Sequence, residues 1–141
     1  MQNLQNSNDE TLAAIAVKSI KEVSYHKRFS SDWIKRLGDG SFESRGKIQT
    51  AINDLWVYTD ELFHMTDADI AIAESGAGVD VRSLKEQYYK NVSAILDEAT
   101  LEVPTIEYFQ KGGKIGIHTE HMGYILSDMQ YMQRTFPNMT W

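Results

Sequence analysis

One pattern constrains this chain more than any other. Leu12, Ile15, Ser19, Glu22, His26, Phe29 and Trp33 recur at three- and four-residue steps. That spacing keeps one face of an α-helix in register for many turns. Ala16, Val23 and Leu37 form a neighbouring row and widen the apolar face. Asn8-Asp9 offers capping chemistry at the start, and Gly38-Asp39-Gly40-Ser41 stops the helix and caps the next one. The spacing predicts a helix over 9–37, long for a globular protein. Glu22 and His26 share the stripe with Ile15, Phe29 and Trp33, so both are expected to point inward.

The rest of the chain repeats the theme at shorter length. Ile48, Ala51, Ile52, Leu55, Thr59 and Leu62 predict a second helix over 42–63, with Trp56 and Tyr58 beside its stripe. Residues 64–80 read as irregular, with a short strand at Ile70–Ala73 as the one regular option. Asp80 caps a third helix that carries Val81, Leu84, Tyr88, Val92, Ile95 and Ala99, and ends near Thr100 ahead of Pro104. Residues 101–117 connect. Thr119 then caps a fourth helix bearing Met122, Ile125, Leu126, Met129, Met132 and Phe136, which Pro137 ends. Four amphipathic helices and no convincing strand predict an all-α domain. The expected organisation is a single helical domain over 1–141 with a polar tail at 1–8.

Composition excludes several functions. The 141 residues include no cysteine, which removes disulfides, thiolate metal sites and a cysteine nucleophile. The formal net charge is −6, against the concentrated basic face that phosphate contacts need, so no nucleic-acid partner is expected. No apolar run approaches the roughly 20 residues that span a bilayer, so no membrane partner is expected. The start, MQNLQNSNDE, lacks a basic and then apolar leader, which makes the cytoplasm the expected location. In that location the sequons at Asn91 and Asn138 are chance matches.

Four groups of residues could carry chemistry. Glu22 and His26 sit one turn apart and could pair or share a metal. Di-iron bundles need Glu-x-x-His on two helices and a Glu on two others, and this spacing is one residue too long. Glu61-Leu-Phe-His64 has the right spacing but has no second copy. His118-Thr-Glu120-His121 stands at a helix start, where the dipole favours Glu120 and disfavours a charged histidine. Gly112-Gly-Lys114-Ile-Gly116 could cradle an anion such as a coenzyme A phosphate, although it is no P-loop. Read as patterns, all four are better explained by structure, so no catalytic, cofactor-binding or metal residue is assigned. No cofactor is expected of the chain itself.

Two stretches carry a resemblance. The first is Lys21-Glu-Val-Ser-Tyr-His26 with Phe29-Ser-Ser-Asp-Trp33 and Arg36-Leu-Gly-Asp-Gly40. The second is Gly112 to Gly116, His118-Thr-Glu-His-Met122, Met129 to Arg134 and the end from Pro137 to Trp141. Asp54-Leu-Trp56 through Glu61-Leu-Phe63 and Asp97 to Leu101 fit as well. Together they make the chain resemble the structural (C) subunits of bacterial 1,2-phenylacetyl-CoA epoxidases. The resemblance implies a ferritin-like helical bundle. It also implies a structural, non-catalytic role beside the catalytic (A) subunit, which holds the di-iron centre and oxidises the aromatic ring. Contact with the CoA thioester would be indirect. A separate flavin and iron–sulfur reductase would supply the electrons. The alternative is a di-metal carboxylate oxygenase using Glu22 and His26, with Glu61, His64 or His121. Members of the family are longer, and this chain is expected to match their C-terminal portion. The long first helix should then carry an uncovered apolar stripe, closed by a second copy or by another chain.

Overall fold

The computed structural model describes residues 1–140, and these fall into two compact units, Met1–Gln110 and the part from Lys111 onward. Among the described residues every regular element is helical and there is no strand. The all-α class is therefore observed. No described helix is long and apolar enough to cross a membrane.

The first unit begins with a short 3-10 turn, Asn3–Asn6. Its end is tied to the turn at 75–77 by Asn8 N–H donating to the Gly76 carbonyl at 2.9 Å and the Ser7 hydroxyl donating to the Ala77 carbonyl at 2.7 Å. Gly76 has φ +77, and a Cβ there would lie 2.2 Å from the Asn8 amide, so this turn requires glycine. Helix α1, Glu10–Gly38, starts where Asp9 accepts from the Thr11 and Leu12 amides. Helix α2 covers Phe42–Trp56 and is capped by Ser41. It stops seven residues short of the expected end at 63. The Thr59 hydroxyl donates to the Trp56 carbonyl at 2.8 Å and helps to close the turn, after which Asp60–Phe63 forms a separate 3-10 turn.

The segment expected to be irregular holds helix α3, Asp67–Glu74. A reciprocal capping box starts it: Thr66 accepts from the Asp69 amide, and the Asp69 carboxylate accepts from the Thr66 amide. The strand option at Ile70–Ala73 is therefore overturned. The expected third helix is a 3-10 turn, Val81–Leu84, leading into α4, Lys85–Glu98. Thr100 ends α4 in a left-handed conformation with φ 57. Its amide bonds the Asp97 carbonyl and the Leu101 amide bonds the Leu96 carbonyl, which satisfies two otherwise orphaned acceptors.

These turns aim the apolar side chains at one core, made of Trp56, Leu96, Ala99 and Leu101. Ile34, Ile52, Tyr89, Val92 and Phe109 pack around it. Gly38 permits close approach of α1, since a Cβ there would sit 2.3 Å from the Ala99 carbonyl oxygen. Lys35 pairs with Glu98 at 2.6 Å, and Gln49 exchanges two hydrogen bonds with the Glu102 backbone.

The second unit contains the 3-10 turn Gly113–Ile115 and helices α5, His121–Met129, and α6, Tyr131–Thr135. The single fourth helix expected here is thus interrupted at Gln130, with φ −95 and ψ 0. Thr119 does not cap with its side chain. Its carbonyl accepts from the Met122 amide instead, and α5 begins without a side-chain cap.

Candidate functional site

The long stripe of α1 is where sequence and structure part most clearly. The helix meets the rest of its unit near its two ends: Ala16 and Gly38 are buried and Ile34 packs against the α4 cluster, whereas Val23 of the neighbouring row is exposed. Gly38 lets the backbones approach. The stripe itself faces away. Glu22 is 78% exposed and His26 66%, which corrects the expectation that both point inward. From 21 to 30 every residue is exposed. Phe29 and Trp33 are about half exposed, at 51% and 46%.

This bare surface is internally organised. Tyr25 stacks on Phe29 with ring centroids 6.0 Å apart, and Phe29 meets Trp33 edge-on at 6.3 Å. The Arg28 and Arg36 guanidinium groups lie over the Tyr25 and Trp33 rings at 5.9 and 5.8 Å. His26 Nε2 stands 3.5 Å from Glu22 Oε1. An aromatic ridge with a polar pair near its middle has the chemistry that contact surfaces use.

The other expected groups do not assemble into one site. Glu61 lies in the turn after α2 and His64 caps that turn, with the His64 amide donating to the Glu61 carbonyl at 3.1 Å. His118, Glu120 and His121 are all exposed in the second unit. Among the described residues no three of His, Cys, Asp or Glu come close enough to hold one ion. In the glycine loop, Gly112 and Gly116 take left-handed conformations, with φ 113 and 88. The amides of Ile115 and Ile117 both donate to the Gly112 carbonyl, and the Gly116 amide donates to the Gly113 carbonyl. Those three donors point into the loop, whereas an anion cradle needs them pointing out.

Sequence reasoning missed an aromatic cluster beneath α4. Phe63 meets Tyr88 at 5.2 Å and Tyr89 at 6.0 Å, and Trp56 lies 6.1 Å from Tyr89. Burial, and then the neighbouring Tyr89, push the Tyr88 phenol above its ordinary pKa. Beside it an apolar cavity of about 180 Å³ is lined by Ile52, Trp56, Tyr88, Val92 and Leu96 among others. Tyr88 on the third stripe, with Tyr89 next to it, was the available signal.

Comparison with known proteins decides the family. The family model described as "Phenylacetic acid catabolic protein" matches residues 1–141. The chain belongs to that family. It is also 49% identical over 138 residues to the C subunit of 1,2-phenylacetyl-CoA epoxidase from Escherichia coli (strain K12). That alignment covers 98% of this chain and 56% of the relative, so the chain spans little more than half of the relative's length. The phenylacetic acid catabolic family is ferritin-like, in agreement with the helical architecture. Within that family, the resemblance read from Lys21–His26 and Gly112–Met122 now rests on identity along nearly the whole chain.

Proposed function

We propose that the chain acts as a non-catalytic structural subunit of a multicomponent di-iron oxygenase that epoxidises the ring of phenylacetyl-CoA. The observation that carries this reading is the 49% identity, over 98% of the chain, to the C subunit of 1,2-phenylacetyl-CoA epoxidase. The exposed Glu22–His26 pair supports the structural role, because among the described residues no third carboxylate or imidazole joins it. Its partner would be the catalytic (A) subunit, holding the di-iron centre. Contact with the CoA thioester would then be indirect, through the shape lent to the partner's site. The cytoplasm is the proposed location. The bare stripe of α1 supports a homo-oligomer, since half-exposed aromatic side chains cost free energy while they face water.

Co-purification tests the main reading. The chain and the catalytic subunit from the same organism should associate, and epoxidation should fall to background without the chain. Failure of the purified pair to associate overturns it. One observation favours a second reading, a metal site of the chain's own: His26 Nε2 and Glu22 Oε1 already lie 3.5 Å apart. Iron analysis separates the two. About two irons per chain, lost on Glu22→Ala, would establish the second reading, and iron well below one per chain would exclude it.

A further inference from the structure

We draw no further inference here: the strongest candidate, the apolar cavity between α2 and α4 lined by Ile52, Trp56, Tyr88 and Leu96, opens to the surface beside the exposed Leu55, and nothing in the structure shows what fills or covers it.

Discussion

Two regions of the same helix behave as if they belonged to different proteins. The last turns of α1 are packed: Ile34 joins the Leu96–Ala99 cluster, Lys35 pairs with Glu98, and Gly38 touches the Ala99 carbonyl. One and a half turns earlier, Phe29 and its neighbours meet only water and each other. The residue types do not explain the contrast, because the exposed stretch is the more aromatic. What differs is the partner. The packed end has α4 beside it, and the bare stretch has no helix of this unit on its stripe. Apolar side chains are a surface or a core according to what reaches them.

The largest test of that contrast is truncation in each region. Trp56→Ala removes a buried indole from the core and should cost about 3–5 kcal/mol of unfolding free energy, measured by urea titration. Phe29→Ala, in the dilute chain, should cost under about 0.5 kcal/mol. Equal losses would mean that the stripe is already covered within one chain. The next test concerns the packed end itself. Gly38→Ala pushes a methyl against the Ala99 backbone and should cost about 1–3 kcal/mol, by the same titration. A neutral outcome would mean that α1 does not sit this close to α4.

A smaller effect sharpens the account of the aromatic cluster. The folded pKa of Tyr88 is raised above its ordinary value of 10.0, so the protonated phenol is favoured in the folded state. The stability it contributes is fully present below that value and is lost as pH rises through the folded pKa. Stability curves at pH 9 and 11 should therefore converge partly in Tyr88→Phe relative to wild type. An unchanged pH dependence would place the phenol in water.

The same contrast explains how much was legible beforehand. The ends of α1 follow from local signals, Asp9 at the start and the Gly38–Ser41 stop, and both are where expected. The all-α class follows from periodicity. Which part of α1 is buried does not follow, because two adjacent rows were apolar and neither is buried along its length. Ala16 and Gly38 permit a close approach that Phe29 and Trp33 forbid. Helix α3 was missed although Thr66 and Asp69 stand at capping-box spacing. Its small residues make a weak stripe, and the cap was the stronger signal. The end of α2 turned on the Thr59 hydroxyl, whose bond to Trp56 cannot be read from a stripe that runs on to Leu62. The candidate site follows the same rule. Glu22 and His26 were found as a pair, but their exposure depends on packing elsewhere.

The central claim is that the α1 stripe is a contact surface and the α2–α4 region is the core. Amide hydrogen exchange at increasing protein concentration reads both at once. The account expects residues 21–30 to exchange quickly in dilute solution and to slow markedly as the chain is concentrated. Residues 89–101 should stay protected at every concentration. Exchange at 21–30 that is slow even in dilute solution, or fast at every concentration, would contradict it.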